Sequence, residues 1–401
     1  MLKISTPITK ASRRSHTLTY DHLVLALGSV PNFHGMVGLE QRALTMKSLE
    51  DAILLRNRMI AHMEEADPDY SLSSRSDLLT MVVAGGGFAG VETVAGIHDF
   101  MQSAIRSYSN LHPLQIRVVL IHAGAHLLPA LGEQLGRYAE KKLRERGIEV
   151  LTQRRLRSIT DAGVTLDDGV FIGTSFVVWA AGNSPSPVVA ALPFANRGGR
   201  IDTNRMLQVE LKAGVWALGD CASIPGGNGG FHPPTAQHAL RQARTAASNI
   251  VASIRGEALK PFSFKTIGQL AAIGHRTGGG RIFGRRFSGF IAWWMWRTIY
   301  LSKLPGLEKR LRVALDWTLD LVFAKDTVRY MSFRAFSQFT QSSPFHDPQQ
   351  SPHDSEVDDP PTPIGFGPGR STIWKSRAPR LSSEYNIEFE KPRKSVTFIR
   401  L

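Results

Sequence analysis

Two periodicities alternate along the chain. Short continuous apolar runs read as buried strands, and longer stretches with apolar residues every three to four positions read as helices. Residues 20–29 form a buried strand ending in a turn at Gly28. Residues 48–63 carry Leu49, Ile53, Ile60 and Met63 at helical spacing, with Ser48 as the N-cap three residues before Asp51. A polar Ser/Asp stretch, residues 67–77, reads as a crossing between domains. The run from Leu79 to Ala84 is a β-branched strand that feeds directly into Gly85-Gly86-Gly87-Phe88-Ala89-Gly90-Val91-Glu92, a glycine turn opening a helix that extends to about Tyr108. A second strand covers 115–122, a charged helix 135–146 is closed by Gly147, and a short strand covers 148–151. Val164 to Leu166 with Asp167-Asp168-Gly169 makes a hairpin turn, and 175–182 is a further strand ending in glycine. The Pro-rich loop 183–187 marks an exit from this domain. Residues 215–220 give one more buried strand, capped by Asp220, and a helix of good formers starts at Thr235. Such alternation predicts an α/β fold with parallel sheets wound by helices.

Beyond Pro261 the composition shifts to Phe, Trp, Arg and Gly. Residues 305–323 place Leu307, Leu311, Ala314, Leu315, Leu319 and Val322 on one helical face, which predicts an amphipathic helix. The longest apolar stretch, 287–300, is interrupted by Arg297 and is shorter than the roughly 20 residues a spanning helix needs. From Met331 the chain is rich in Ser and Pro and reads as a disordered tail.

A chain of 401 residues suggests two or three domains. Its one cysteine, Cys221, rules out an intrachain disulfide and a Cys-x-x-Cys pair; this fits a reducing compartment and speaks against a disulfide reductase. Electrons, if carried, therefore need a cofactor. The net charge of +14 is concentrated: residues 275–312 hold nine Lys/Arg against one acid, Glu308. Several basic residues flanked by tryptophans suit an anionic membrane surface. No nucleic-acid module accompanies the charge, so nucleic acid is not expected as a partner. Residues 1–19 lack the apolar core of a signal peptide, so export by that route is not expected.

The glycine turn carries the candidate chemistry. In a dinucleotide site Gly85 makes the tight turn, Gly87 lets the backbone approach a pyrophosphate, and Gly90 lets the helix pack close to the strand. The pyrophosphate then rests on free N–H groups at the helix N-terminus. The plainer reading is a glycine turn in any α/β domain; the strand immediately before it favours a nicotinamide dinucleotide.

From about Tyr20 to Tyr330 the chain resembles the type II NADH dehydrogenases, on Gly85 to Glu92, on Trp216-Ala217-Leu218-Gly219-Asp220, and on Pro234-Thr235-Ala236-Gln237-His238-Ala239-Leu240-Arg241-Gln242. The resemblance implies two Rossmann-like nucleotide-binding domains, the flavin one discontinuous and N-terminally incomplete, plus a C-terminal amphipathic membrane-facing segment. The expected divisions are 1–76 and 184–260 for the FAD domain, 77–183 for the NAD(P)H domain, 261–330 for membrane association and 331–401 for the tail. It implies electrons passing from NADH through FAD to a membrane quinone, in a peripheral protein on the cytoplasmic face of a membrane. A homodimer is the alternative use of the amphipathic face.

Site residues follow from the same resemblance. Glu92 lies where the nicotinamide meets the flavin and can hold the amide or tune charge at the ring; on residues alone it is a first-turn acid favoured by the helix dipole. Asp220 contacts the ribityl or phosphate part of FAD, or caps a helix. The strand-end glycines Gly28, Gly182 and Gly219 are cofactor-binding positions together with Gly85, Gly87 and Gly90. Gln237 and Gln242 match amides near the quinone, Gln237 at the reacting end; the plainer reading is helix-surface glutamines. Arg241 stands where many relatives carry another glutamine. No metal is expected.

Two departures matter. His122 ends a strand where an acid normally accepts the adenosine ribose hydroxyl and repels a 2′-phosphate, which leaves NADPH admissible beside NADH. Residues 1–19 contain no strand, glycine loop and helix for the FAD pyrophosphate, so either the start codon lies too far downstream or the chain is a truncated copy expected to bind FAD poorly. A soluble flavin reductase of the same fold and a truncated non-catalytic relative are the rival readings.

Overall fold

The computed structural model describes residues 2–9, 12–68, 72–227, 229–319 and 396–399. After a hairpin of Leu2–Thr9 and Ser12–Leu18, the main elements are β1 (His22–Leu25), α1 (Leu49–Ala66), β2 (Thr80–Ala84), α2 (Phe88–Ala104), β3 (Arg117–His122), α3 (Glu133–Glu145), β4 (Glu149–Thr152), β5 (Phe176–Trp179), β6 (Val215–Ala217), α4 (Ala236–Arg255), α5 (Gly289–Lys303) and α6 (Leu307–Leu319).

A five-stranded parallel sheet runs in the order Leu44–Thr45, β5, β2, β3, β4. The β2 residues alternate between two cores. Met81 and Val83 pack with α1, α2 and α3 residues such as Met59, Met101 and Leu143. Val82 and Ala84 pack on the other side with Leu156, Ile159, Val164 and Ile172. Those last residues belong to an antiparallel meander of Leu156–Thr160, Gly163–Leu166 and Phe171–Gly173, so one face carries helices and the other a small sheet. Burial on both faces is why β2 reads as an unbroken apolar run. Each fully buried side chain of this size contributes about 1.5–3 kcal/mol.

The second core surrounds β1 and β6, which run parallel, with Trp216 fully buried among Leu23, Val215, Cys221 and Ile250 of α4. Val396–Ile399 runs parallel to β1 on its other edge. The chain passes between the two cores along a two-stranded ribbon in which Ser29–Pro31 lies antiparallel to Asn183–Pro185. The exit expected at 183–187 is therefore one strand of that ribbon.

One expectation is corrected here. The outward crossing lies at Ser29–Pro31, not at 67–77: Leu44–Thr45 already belongs to the five-stranded sheet, and α1 packs on it, so the division at residue 76 does not hold. The stretch expected to cross instead contains a short helix, Leu72–Leu78. At the C-terminal end, Gly268–Ala272, Gly278–Ile282 and Arg285–Ser288 form an antiparallel sheet that the composition did not announce. The tail expected over 331–401 lies outside the described residues except for Val396–Ile399, which is a strand. The N-cap of α1 is as expected: Ser48 Oγ accepts the Asp51 N–H at 3.1 Å, and Asp51 Oδ2 accepts the Ser48 N–H at 3.0 Å, a capping box.

Candidate functional site

The glycine loop joins β2 to α2 at the carboxyl edge of the sheet, where open α/β folds bind ligands. Gly85 sits at φ +120°, and a Cβ there would lie 2.6 Å from the Ala180 carbonyl carbon at the end of β5. A Cβ on Gly90 would overlap the Gly85 carbonyl oxygen, so the first turn of α2 can rest on the loop only as glycine. Gly87 is the N-cap; a Cβ on it would meet nothing within 4 Å, and no side chain caps the helix. That leaves the N-terminal N–H groups of α2 facing an open surface, as an anion site requires. The residues present fit a dinucleotide pyrophosphate.

His122 closes the loop from the next strand. Its Nδ1 accepts the Gly86 N–H at 3.1 Å, and its Nε2 stands 3.0 Å from the His126 carbonyl oxygen. Burial pushes its pKa below the ordinary histidine range, and the hydrogen bond to the His126 carbonyl only partly offsets that.

Glu92 is not a solvated first-turn acid. Its Oε1 accepts two hydrogen bonds, from the Ala272 N–H at 3.0 Å and from the Trp296 indole N–H at 2.9 Å. Burial raises its carboxyl above the ordinary carboxylate range, and the two donors only partly offset that. Both come from the C-terminal segment, so α2 and α5 meet at this carboxylate. Next to it lies a cavity of about 400 Å³ lined by Glu92, Met46, Leu55, Met59, Ala89 and Ile97 among others. A further clamp joins the same parts: Arg146 pairs with Asp99 of α2, and Asp99 Oδ2 accepts the His275 N–H at 3.0 Å.

On the other side of the ribbon, the ends of β1 and β6 come together. Asp220 Oδ2 accepts the Ser29 hydroxyl at 2.7 Å, and Lys47 Nζ donates to that hydroxyl at 2.9 Å. Gly28 and Gly219 flank this cluster at φ +67° and +74°, and a Cβ on Gly28 would meet nothing within 4 Å. Asp220 lies in a single 3-10 turn, so it caps no α-helix. An acid, a cation and open glycines fit the polar hydroxyl and phosphate parts of FAD. Cys221 is fully buried, its Sγ accepts the Leu27 N–H at 3.3 Å, and burial raises its pKa, so it is a packed residue rather than a reactive thiol. Gly182 has φ +138° and backs onto His34, whose Nε2 lies 3.0 Å from the Ala181 carbonyl oxygen.

The glutamines of α4 differ from each other. Gln237 donates through Nε2 to the Gly268 carbonyl oxygen at 2.6 Å, keeping its second amide proton. Gln242 is only 2 % exposed, and its Oε1 accepts the Gly219 N–H at 2.8 Å. It braces the flavin-side strand end instead of opening onto a ligand surface. Arg241 stacks over Phe264 at 4.1 Å and donates to the Gln237 carbonyl oxygen.

Sequence reasoning missed Ser29, Lys47 and Trp296. Ser29 and Lys47 had a signal, since each follows shortly after the end of a strand, β1 and Leu44–Thr45. Trp296 lay inside a tryptophan-rich run read as dipping into a bilayer. Of its tryptophans only Trp294 is largely outside, at 56 % exposed; Trp293 is buried, and Trp296 turns inward to Glu92. Among the described residues no helix is long and apolar enough to cross a membrane, and no cluster suits a metal ion.

A glycine loop for a dinucleotide, joined by a two-strand ribbon to a second sheet with a polar cofactor edge, defines a pyridine-nucleotide oxidoreductase. Residues 5–243 match the pyridine nucleotide-disulphide oxidoreductase family, and residues 263–326 match the NDH2 C-terminal domain. The chain belongs to that family, in its type II NADH:quinone oxidoreductase branch. It is 32 % identical over 314 residues to the protein named "Probable NADH dehydrogenase" of Dictyostelium discoideum, covering 77 % of this chain and 69 % of that one. It is 29 % identical over 313 residues to the type II NADH:quinone oxidoreductase Ndh of Mycobacterium tuberculosis, covering 75 % of this chain and 66 % of that one. The fold is similar to that of NDH2 from Plasmodium falciparum in complex with NADH, with TM-score 0.73 and 18 % identity over 79 % of this chain and 80 % of the other.

Proposed function

We propose that the chain oxidises NADH and passes the electrons through FAD to a membrane quinone, as a peripheral protein on the cytoplasmic face of a membrane. The observation that carries this reading is Glu92: a partly buried acid one turn into the dinucleotide helix, held by a C-terminal segment whose other side is apolar and open. Names of relatives support the electron donor and acceptor, since they include NADH dehydrogenases and quinone oxidoreductases.

The chain's own residues have distinct work. Gly85, Gly87 and Gly90 shape the loop so that α2 presents its N–H groups to the NADH pyrophosphate. Glu92, with Oε1 committed to two donors, keeps Oε2 to hold the nicotinamide amide or a proton; its raised pKa suits the second use. Asp220, Lys47 and Ser29 position the flavin, flanked by Gly28 and Gly219, with Gly182 at the domain crossing. FAD, when bound, supplies the two-electron acceptor that a lone packed cysteine cannot. Gln237 offers its remaining amide N–H to a quinone carbonyl, while Gln242 acts on the site through Gly219 as a positioning residue.

Attachment to the membrane rests on α5 and α6. Phe290, Ile291, Leu307, Leu311 and Leu315 are each at least 57 % exposed, beside Lys303, Lys309, Arg310 and Arg312. Steady-state NADH oxidation by flavin-loaded protein with a soluble quinone tests the activity, and bleaching of the flavin spectrum by NADH tests the first half. Loaded protein that is bleached but reduces no quinone would support the soluble reductase instead. Loss of co-sedimentation with anionic vesicles in Leu311→Glu/Leu315→Glu would support membrane docking; a fall in molecular mass would show that this face joins two copies.

A further inference from the structure

Glu92 and Asp99 lie two helical turns apart on α2, so both carboxylates stand on one face, separated by about 10 Å along the axis. Each accepts a backbone N–H from the same piece of the C-terminal segment. Glu92 Oε1 takes the Ala272 N–H at 3.0 Å, and Asp99 Oδ2 takes the His275 N–H at 3.0 Å. Around these points the chain makes a tight turn: the Ile273 N–H donates to the Thr277 carbonyl oxygen at 2.8 Å, and the Thr277 N–H to the Gly274 carbonyl oxygen at 3.2 Å. Ala271 and Ile273 are fully buried in the core to which α2 contributes. The turn is thus pinned along α2 by two carboxylates.

Asp99 is itself fixed by Arg146, the C-cap residue of α3. Arg146 Nε is buried, and a Cβ on Gly274, at φ +120°, would overlap the guanidinium, so the turn closes over the ion pair only with glycine there. The His98 ring completes the cluster, with Nδ1 3.8 Å from Asp99 Oδ1. The same turn reaches the second donor of Glu92. The His275 ring lies 6.5 Å from that of buried Trp293, which precedes Trp296 by about one turn of α5. A shift of the turn away from α2 therefore carries off the Ala272 N–H and, through Trp293, the Trp296 indole.

We propose that Asp99 is a positioning residue for Glu92: paired with Arg146, it holds the 272–277 turn against α2 so that both donors stay on Glu92 Oε1. Other charges contribute little at that carboxyl. The cavity side faces it with Met46 and, from α1, Ala52, Leu55 and Met59. The strand Gly268–Ala272 has no ionisable side chain, and α5 brings Tyr300, whose pKa is raised by burial and then by the Glu92 charge, while Arg297 lies over Trp293 and Trp317. Burial already raises the Glu92 carboxyl and the two donors oppose that, so their loss raises it further. That this carboxyl serves the nicotinamide rests on the function proposed above.

The experiment titrates Glu92 in the flavin-loaded full chain. Infrared spectra are taken from about pH 4 to about pH 9, and the band of the protonated Glu92 carboxyl is the one that Glu92→Gln removes. Asp99→Ala frees both Arg146 and the turn, and is expected to move the midpoint of that band upward by about one pH unit or more, with faster hydrogen exchange over 268–277 and 289–303. Asp99→Asn keeps an acceptor for the His275 N–H but loses the ion pair; its expected upward shift is about half as large, and it carries the test if the alanine variant does not fold. Faster exchange over 268–277 with the midpoint unmoved would make Asp99 a structural residue only and overturn the proposal. Bleaching of the flavin by NADH separates this from the function proposed above. A pH profile of bleaching that moves with the infrared midpoint supports both; a midpoint that moves alone supports the positioning role and overturns the assignment of Glu92 to the nicotinamide.

Discussion

Trp296→Phe isolates the contact between the C-terminal segment and the site. Phe keeps an aromatic ring against Tyr300 and Trp317, whose centroids lie 5.0 and 6.3 Å away, and removes only the indole N–H that donates to Glu92 Oε1. The Ala272 N–H is then the one donor left to that oxygen. A hydrogen bond to an ionised buried acceptor is worth about 1.5–3 kcal/mol, against about 0.5–1.5 kcal/mol for a neutral one. The cost of the substitution must therefore depend on whether Glu92 is charged.

The sign follows from the raised pKa. Burial lifts the folded-state value above the ordinary 4.5, so the folded state holds the proton through a window in which the unfolded state has lost it. Stability contributed at Glu92 is present below 4.5 and is lost as pH rises through the folded value. Removing a donor to the anion lifts the folded value further and deepens that loss. Hydrogen exchange of peptides covering 268–272 and 289–303 reads the local opening directly. The variant-to-parent ratio of exchange rates should be small in acid and reach about tenfold to a hundredfold once Glu92 is ionised. In a Glu92→Gln background, which cannot ionise, the pH dependence should vanish. An equal ratio at all pH values, or none, would refute the argument that Trp296 supports a charged Glu92.

Two other residues give tests in the two cores. His62 is buried, lies against Leu78 and has its pKa lowered to about 4 by desolvation and by Arg58, so stability is full above its ordinary 6.5 and is lost on acidification toward 4. The loss should be on the order of 3 kcal/mol by urea unfolding, and His62→Gln should flatten that slope. Gln242→Ala leaves the Gly219 N–H unpaired, which costs about 1–3 kcal/mol and loosens the strand end carrying Asp220. Its urea midpoint and its flavin content per chain should both fall; retained flavin with lowered stability alone would show that Gln242 serves only the fold.

What could be read from residues in order was local. The apolar run and its glycines announced β2, the loop and α2, because strand burial, positive φ and close approach each restrict the residue type at one position. Ser48 and Asp51 announced the start of α1, because a capping box closes within three residues. The C-terminal sheet gave no such signal. Its middle strand begins Gly278-Gly279-Gly280, and a Cβ on Gly278 would lie 2.7 Å from the Trp293 backbone nitrogen, so its sequence answers to a helix packed across it and not to strand alternation. Glu92 likewise looked like a dipole-stabilised surface acid, since its donors are 180 and 204 residues away in the chain.

The tryptophans of α5 show how one helix can serve two surfaces. Trp294 and Trp296 are two positions apart, hence about 200° apart around the axis. The first is 56 % exposed beside Phe290 and Ile291, and the second reaches Glu92. A composition-based reading gave both to the bilayer because both are interfacial residue types, whereas the helical period separates them. The separation makes the two roles independent in test. Trp294→Ser should weaken binding to anionic vesicles and leave exchange at 268–272 protected, and Trp296→Phe should do the reverse. If either substitution moves both readouts together, then the apolar face and the acid are coupled through a shift of the whole helix, and docking at a membrane would itself change the environment of Glu92.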